Sequence, residues 1–317
     1  PNIVGVFDVG MDGDAPFIVM EMIDGGSVMD WVNANGALQS QVAAWITIGL
    51  LKGLAQAHEN GVIHRDIKPE NIMLGDFGVV MVMDWGLALP TASYDKFDSI
   101  AATSSVGGTP SFMAPEMMTG PIDRIGVASD VYLLGATLFK LVTGFAPHKG
   151  RTVKECLQSV RRNTIREVTE SDKGELLDIA MKAMRTKPDD RHPDVASFQK
   201  EIRAYREHAE SVSLTARATD ELTRGQCESS YEALSKAAFR YEEALKSWPE
   251  NATTRPSPSF EAAANTPRSS SIKGKALGFR VISKVPLVAS GRVTPMGYSP
   301  TFSVMVSKAF WSSAMRF

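Results

Sequence analysis

Residues 64–71, HRDIKPEN, bring together three side chains whose types suit phosphoryl transfer. Asp66 can accept the proton of a hydroxyl group, Lys68 can steady a phosphate in transit, and the amide oxygen of Asn71 suits a hard cation such as Mg²⁺. This reaction needs little covalent help from a protein, since it depends on charge neutralisation, a held metal ion and an oriented hydroxyl. The spacing therefore predicts that the three side chains face one cleft.

Two tripeptides of one shape follow this loop, Asp76-Phe77-Gly78 and Asp84-Trp85-Gly86. Each places a carboxylate shortly after Asn71, and a carboxylate oxygen is a ligand that Mg²⁺ prefers. The residue types alone leave both aspartates open as metal ligands.

The elements that position these residues follow from the spacing of apolar side chains. Residues 3–9 and 17–23 are β-rich runs on either side of a turn-forming segment, which predicts a hairpin. A helix is predicted over 27–34, and a buried helix over 40–58, because apolar side chains lie nearly all round it. The later elements are a loop over 62–71, a second hairpin over 72–83, an irregular segment over 87–112 and mostly helix over 128–208.

The C-terminal part of the chain changes character twice. Residues 209–255 continue the helical spacing, most clearly in YEALSKAAFRYEEALKSWPEN. Residues 262–317 contain eight basic residues and no Asp or Glu, with scattered Pro, Ser and Gly. No helix or strand period persists there, so the segment 256–317 is interpreted as a basic tail of low order.

Bulk composition limits the class of protein. Of 317 residues, 44% are hydrophobic and 22% charged, which is typical of a soluble domain with a substantial core. A net charge of −2 argues against a dedicated nucleic-acid binder, and two cysteines fit a reducing compartment. No apolar run reaches the roughly 18–20 residues of a membrane span. The chain starts at Pro1 without an initiator Met, so its N-terminus is interpreted as cut.

Six ordered blocks resemble the eukaryotic-type (Hanks-type) serine/threonine protein kinases, in particular the bacterial ones. They are IVMEMIDGGS, HRDIKPEN, MDWGLA, GTPSFMAPE, SDVYLLG and KPDDRH. The resemblance covers residues 1–208 and implies an α+β fold, with a remnant of the small lobe in 1–23 and a mostly helical large lobe in 24–208. It implies transfer of the ATP γ-phosphate to Ser or Thr of proteins in the cytoplasm, with Mg²⁺ or Mn²⁺ as the metal.

The resemblance also separates the two tripeptides, because in this family a β-hairpin lies between the metal-binding Asn and Asp. Only residues 72–75 separate Asn71 from Asp76, and four residues, at most about 13–14 Å long, cannot form two paired strands. Asp84 leaves room for strand, GDFG turn and strand. The implied metal ligands are therefore Asn71 and Asp84. The rest of the motif is Trp85, in place of the family's usual Phe, and Gly86.

The remaining catalytic roles are carried over from the resemblance residue by residue. Asp66 matches the catalytic base, Lys68 the phosphate-contacting lysine and Thr109 the threonine that hydrogen-bonds the base. Lys68 together with GTPSFMAPE resembles Ser/Thr rather than Tyr specificity. The implied nucleotide pocket adds Met20 as gatekeeper, Glu21 and Met22 as backbone contacts to adenine, and Met73 beneath the ring.

Further residues are implied to shape or regulate the site. Glu116 and Arg191 resemble a buried ion pair that anchors the activation segment, and Asp130 resembles an aspartate that braces the catalytic loop. Arg65 matches an arginine that receives an activation-loop phosphate, for which Thr103 is the predicted acceptor. The second choices for that acceptor are Ser104 and Ser105.

The histidines and the helical cysteine are interpreted as structural. His64 is expected to pack beneath the metal motif, and Cys156 to pack within a helix. The other histidines show no metal-ligand spacing and are interpreted as surface or packing residues: His58, His148, His192 and His208.

The sequence lacks the segments that precede the family's fourth strand. These are the glycine-rich loop, the lysine of a preceding strand and the glutamate that pairs with this lysine. Because these groups hold the phosphates, the chain is expected to be a fragment that does not turn over usefully by itself. Micromolar binding of Mg·ATP by residues 1–317 would contradict that expectation. The hairpin over 3–23 is expected to expose an edge.

Two interpretations of residues 209–255 stay open. The helix predicted over 231–248, which PEN follows, weakly resembles the second helix of a tetratricopeptide repeat, a module that binds protein partners, and a plain helical linker fits equally well. The tail beyond 255 is either natural or the product of a shifted reading frame. At the level of function, the alternative to an enzyme is a pseudokinase scaffold, and a small-molecule phosphotransferase fits poorly because of GTPSFMAPE.

Overall fold

A computed structural model describes residues 2–91, 107–120, 122–228 and 230–251, all of which lie in one compact unit, Pro1–Arg255. The predicted phosphate acceptors Thr103, Ser104 and Ser105 lie outside the described residues, as does the basic tail 256–317. The predicted α+β class is confirmed, since helices dominate and the strands form small antiparallel pairs.

Eight helices and six strands are found in the described residues. The helices are α1 (Val28–Asn35), α2 (Ser40–Glu59), α3 (Pro115–Thr119), α4 (Val127–Thr143), α5 (Val153–Arg161), α6 (Glu175–Ala183), α7 (Val195–Glu228) and α8 (Tyr231–Ser247). The strands are β1 (Val6–Asp12), β2 (Ala15–Met20), β3 (Val62–Ile63), β4 (Ile72–Gly75), β5 (Val79–Val82) and β6 (Leu89–Pro90). They pair as β1 with β2, β3 with β6 and β4 with β5.

Helices α2 and α4 form the centre of the hydrophobic core. Both are apolar nearly all round, so each is enclosed by neighbours rather than lying on the surface. Helix α4 ends at Gly144, whose φ of 80° favours glycine. The loop 64–71 lies between these two helices. It follows α2, and its backbone bonds to Asp130 in the first turn of α4.

The N-terminal hairpin β1–β2 begins later than predicted and turns more tightly. Residues 2–4 do not belong to β1; the amide of Val4 donates to the carbonyl of Val82 at 3.0 Å, which ties this stretch to β5. The strands instead extend to Asp12 and Ala15 around a turn at Gly13, whose φ is 61°. The hairpin is largely exposed, and its apolar side chains include Phe7 at 73%.

The second hairpin is confirmed. Ile72 pairs with Val82 and Gly75 with Val79, so Asp76-Phe77-Gly78 forms the tip between β4 and β5. Positive φ values at Phe77 (55°) and Gly78 (77°) close this tight turn.

The helical spacing predicted after residue 208 belongs to two helices. Helix α7 passes residue 208 without a break, and α8 folds back against it and ends at Ser247. A buried polar cluster joins them: Ser211 donates to the carbonyl of Ala244 at 2.7 Å, and Asn251 donates to Ser211 at 2.8 Å. In the described part of the chain, no helix combines the length and apolar character that a membrane crossing requires.

Candidate active site

Asp130, at the start of α4, holds the loop 64–71, hereafter the candidate catalytic loop, through two hydrogen bonds. Its two carboxylate oxygens accept the backbone amides of His64 at 2.8 Å and Arg65 at 2.9 Å. Arg65 has a φ of 69°, a left-handed conformation that is costly for an arginine. The fully buried Asp130 compensates for this strain and so places the next residue, Asp66.

Asp66 lies at the centre of a cluster of four side chains from two segments, the loop 64–71 and the stretch that carries Thr109. Its Oδ1 accepts both the amide of Thr109, at 3.0 Å, and the hydroxyl, at 2.9 Å. Its Oδ2 accepts Nζ of Lys68 at 2.7 Å and Nδ2 of Asn71 at 3.1 Å. Lys68 also donates to the Thr109 hydroxyl at 2.7 Å. The structure thus brings together Asp66, Lys68, Asn71 and Thr109 as predicted, although their chemical roles stay predictions.

The hairpin β4–β5 brings Asn71 and Asp84 to the same end. The amide of Met83 donates to the carbonyl of Asn71 at 3.0 Å, which places the residue before Asp84 beside Asn71. Asp84 is exposed and has a φ of 62°, and the amide of Gly86 approaches its Oδ1 at 3.4 Å. Asp76 lies exposed at the opposite end of the hairpin.

The donor set at this end suits a hard cation that arrives with a nucleotide. Nδ2 of Asn71 is held by the carbonyl of Asp66 at 2.8 Å as well as by its carboxylate, so the amide oxygen is the atom left to bind. Within the described ranges, no group of three or more His, Cys, Asp or Glu could enclose a metal. One carboxylate and one amide oxygen fit Mg²⁺, which commonly completes its shell with water and phosphate oxygens.

His64 and Trp85 form the packing beneath the metal motif. Their ring centroids are 4.5 Å apart, and Nε2 of His64 lies 3.1 Å from the carbonyl of Met83. His64 is fully buried, as expected for a structural residue. Nε1 of Trp85 is buried and has no hydrogen-bond partner in the described residues, so the indole fills the apolar slot at the cost of an unmet donor.

The residues expected around adenine lie along the connection between the lobes. Met20 ends β2, Glu21 donates its amide to the carbonyl of Gly5 at 2.8 Å, and Met22 is 88% exposed. Met73 lies on β4 and forms a bridge with Ser27 at the cap of α1.

Gly25 was not singled out from the sequence, yet it lets the connecting segment pass close to β4. A Cβ at this position would lie 1.8 Å from the carbonyl oxygen of Leu74. The neighbouring carbonyl of Gly26 accepts the amide of Leu74 at 3.0 Å. The two glycines in IDGGS are the signal that could have indicated this close approach.

The predicted pair Glu116–Arg191 is formed and buried. Nη1 and Nη2 of Arg191 donate to the two carboxylate oxygens at 2.7 and 2.9 Å. The guanidinium also donates to three carbonyls, those of Arg185, Ala128 and Thr186. All five guanidinium N–H groups are satisfied, which fixes the end of residues 108–116, hereafter the docking segment.

Arg65 is fully buried, with Nη1 3.5 Å from the carbonyl of Leu87. Burial lowers the pKa of the guanidinium, and the Asp130 carboxylate acts in the opposite direction. Its predicted phosphate partner, Thr103, lies outside the described residues, so that pairing stays a prediction.

His58 has a closer link to the site than its interpretation as a surface or packing residue suggested. Its Nε2 lies 2.7 Å from Oδ2 of Asp130, from which it reaches the candidate catalytic loop. The last turn of α2 brings it there, and no local pattern around HEN indicates a partner 72 residues away. Cys156 is buried in α5, as expected.

Comparisons with known proteins agree with this geometry. A family model described as protein kinase domain matches residues 1–209. A relative from Clostridium perfringens, named probable serine/threonine-protein kinase, is 37% identical over 195 residues, or 61% of this chain and 28% of its own. Serine/threonine-protein kinase PknB from Mycobacterium tuberculosis is 34% identical over 209 residues, covering 64% and 33%. Serine/threonine-protein kinase PrkC from Bacillus subtilis is 30% identical over 260 residues, covering 80% and 39%. The chain thus spans roughly a third of the length of these relatives.

Proposed function

Because this chain belongs to the protein kinase family, and within it resembles the bacterial serine/threonine kinases, we propose that it transfers the ATP γ-phosphate to Ser or Thr hydroxyls of proteins. The observation that carries the proposal is the set of four hydrogen bonds on the Asp66 carboxylate. They hold a general base in one orientation at the mouth of a site whose other groups are a lysine, an amide and a second carboxylate.

Asp66 acts on the hydroxyl of the protein substrate. Thr109 holds Oδ1 with two donors, so Oδ2 is the oxygen that can turn to a new partner. Lys68 is its exchangeable contact, because the lysine side chain is 18% exposed and carries three donors. When Lys68 moves to the transferred phosphate, Oδ2 is released to accept the hydroxyl proton, and the ammonium neutralises charge on the phosphate oxygens.

The metal-binding role is proposed for Asn71 and Asp84. Mg²⁺ or Mn²⁺ bound with ATP would supply electrostatic stabilisation of the phosphates. Asn71 presents its amide oxygen because Asp66 holds the amide nitrogen. Within the part of the chain that the structure describes, the Asp84 carboxylate has one hydrogen bond, the long contact from Gly86. We place the adenine-binding backbone at Glu21 and Met22, between the gatekeeper Met20 and Met73.

A partner-binding role for the C-terminal helices is the second candidate, supported by apolar side chains on α8. Phe239 is 62% and Leu245 43% exposed, although α8 packs on α7 along one face. This leaves residues 209–255 as a segment for a protein partner, either as part of a repeat or as a docked helical pair. In that scaffold alternative, the catalytic substitutions below would leave partner binding unchanged.

Dependence on ATP and two free cysteines support a cytoplasmic location.

The two aspartates of the repeated tripeptide provide a matched test. Binding of Mn·ATP by the full-length protein is measured by water-proton relaxation for the wild type, Asp84→Asn and Asp76→Asn. Loss of a charge about 4 Å from a divalent ion costs about 2 kcal/mol even at the dielectric constant of water. We therefore expect binding at least tenfold weaker for Asp84→Asn and unchanged binding for Asp76→Asn.

Transfer of radiolabelled phosphate from ATP to a protein substrate, catalysed by the full-length protein, tests the base. Asp66→Asn is expected to lower the rate by about 10²–10⁴-fold, the usual contribution of a general base. An unchanged rate would remove Asp66 from this role, and equal Mn·ATP binding by both tripeptide variants would remove Asp84 from the metal site.

A further inference from the structure

A chain of buried polar groups lies behind the docking segment, outside the catalytic cleft. The hydroxyl of Tyr132 on α4 is 2.6 Å from Oδ1 of Asn163 and 2.7 Å from Nε2 of His148. The other ring nitrogen of His148, Nδ1, is 3.1 Å from the carbonyl oxygen of Thr164. Tyr132 and His148 are almost fully buried, at 0% and 2% exposure. Four polar groups are thus connected by three short contacts.

Both ends of this chain are hydrogen-bond acceptors. Nδ2 of Asn163 donates to the carbonyl of Met184 at 2.9 Å and to Oγ1 of Thr186 at 3.0 Å, so the amide must direct its oxygen at the phenol. The carbonyl of Thr164 cannot donate, and it already accepts the hydroxyl proton of Ser159 at 2.7 Å. Because the hydroxyl of Ser159 has one proton and donates it to Thr164, it has none to donate to Nδ1 of His148.

Counting protons shows that the chain is complete in only one state of His148. Three contacts between four groups require three hydrogens. Tyr132 supplies one, neutral imidazole supplies one, and doubly protonated imidazolium supplies two. With neutral His148, one of the three contacts joins two acceptors: Nδ1 with Thr164, Nε2 with the phenol oxygen, or the phenol oxygen with Asn163.

The surroundings of His148 favour the neutral ring at neutral pH. Burial lowers its pKa below the usual range, and the Thr164 carbonyl only partly opposes this effect. No carboxylate among the described residues touches the ring. The titratable and charged groups on the elements packed around it include Tyr132, Cys156, Arg166 and, over the phenol ring, the pair Arg191–Glu116.

The backbone of His148 connects this chain to the catalytic residues. Its amide donates to the carbonyl of Ser111 at 3.3 Å, the long end of the hydrogen-bond range. Ser111 lies in the docking segment two residues after Thr109, whose hydroxyl and amide both bind Asp66. Asn163, at the other end, has a φ of 49°, so the surrounding contacts hold it in a strained conformation.

We propose that His148 is a proton-dependent positioning residue for the docking segment: a second proton on its ring completes the Thr164–His148–Tyr132–Asn163 chain and holds Ser111 more firmly. The proposal rests on the proposed function only in assigning the segment to the protein substrate. Its consequence for that reaction is a substrate KM that falls as the ring takes up its second proton.

Hydrogen exchange of the 317-residue chain, read by mass spectrometry between pH 5 and 8 and corrected for intrinsic rates, tests the proposal. In the wild type, peptides covering the docking segment should gain about fivefold protection on acidification, the effect of one hydrogen bond of ordinary net strength. Tyr132→Phe removes the phenol hydroxyl and leaves the ring of His148 with one contact in the network, that with the Thr164 carbonyl. The single proton of neutral imidazole is enough for this contact, so a second proton adds nothing. The pH response of the segment should disappear in this variant although His148 is present.

His192→Phe is the matched control, because His192 is also a buried histidine but pairs with Glu201 and stacks on Phe198. It should retain the pH response. Nitrogen-15 NMR of the wild-type ring provides a measurement without any substitution and should show both ring nitrogens of His148 protonated at the acid end.

A pH response that persists in Tyr132→Phe, or a His148 ring that stays singly protonated at pH 5, would overturn the proposal. Neither measurement depends on phosphate transfer. An Asp66→Asn variant with unchanged transfer would therefore refute the proposed function and leave this inference standing.

Discussion

Removing the guanidinium of Arg191 should destabilise the whole unit, because this group satisfies several buried acceptors at once. Arg191→Met keeps an apolar stem against the ring of Tyr132 but removes five hydrogen bonds. Among its described partners, Glu116, whose side chain is 9% exposed, would keep the Ser129 hydroxyl at 2.9 Å and lose the guanidinium. Breaking a buried pair by removing one partner costs about 3–5 kcal/mol, a large part of a typical stability of about 5–15 kcal/mol.

Urea unfolding followed by far-ultraviolet circular dichroism measures this loss as a lower midpoint at an unchanged slope. The double variant Glu116→Gln/Arg191→Met should lose less than the sum of the two single variants, by about 0.5–3 kcal/mol, because neither charge is then left alone. Arg203→Met, at an exposed position of α7, is the control and should change stability by no more than about 0.5 kcal/mol. A loss below about 1.5 kcal/mol for Arg191→Met, or strict additivity in the double variant, would refute the reasoning.

Two further predictions concern the backbone and the effect of pH. Gly25→Ala should lower the unfolding free energy by at least about 2 kcal/mol in the same urea assay, because the new Cβ would lie 1.8 Å from the carbonyl oxygen of Leu74. Gly126→Ala is the control, because a Cβ there would meet nothing within 4 Å. Equal losses in the two variants would contradict the close approach. Burial lowers the pKa of both His148 and His192, so the unfolded chain binds more protons below its own histidine pKa, near 6.5. The unfolding free energy should therefore keep its full value above that pH. On acidification it should fall by up to about 1.4 kcal/mol per pH unit for each histidine. An unfolding free energy that calorimetry finds unchanged between pH 7 and 5 would contradict this prediction.

The expected rise in local protection and this fall in global stability do not conflict. Global stability is measured against an unfolded chain in which the imidazole ring is hydrated and takes up its proton easily. Protection of the docking segment compares two native states that differ by one proton on His148. The first quantity reflects the cost of burying the charge, and the second reflects the contact that the proton closes.

Much of the catalytic region could be predicted from short stretches of sequence. Gly75, Asp76 and Gly78 have the conformational preferences of a tight turn, so the tip of the hairpin follows from neighbouring residues alone. That turn in turn leaves Asp84, not Asp76, at the end of the hairpin where Asn71 lies. The burial of helix α2 was likewise predictable, because apolar side chains lie nearly all round it.

The bounds of β1 were not predictable in this way. Ile3 and Val4 have the residue types of a strand, and they do pair, but with Val82 in another hairpin. A β-branched residue records a preference for an extended backbone and carries no information about which distant strand it meets. The predicted strand therefore started at the wrong residue.

By itself, the sequence determined where the turns, helices and candidate catalytic side chains lie, because these depend on periodicity and conformational preference over a few residues. Only the tertiary structure decided which buried polar groups meet: His58 with Asp130, and Tyr132 with His148 and Asn163. A buried donor or acceptor must find a partner, but the partner's distance along the chain is unrestricted once the chain is folded. For that reason the candidate catalytic residues could be proposed from their order in the chain, while buried partners such as His58 and His148 could not.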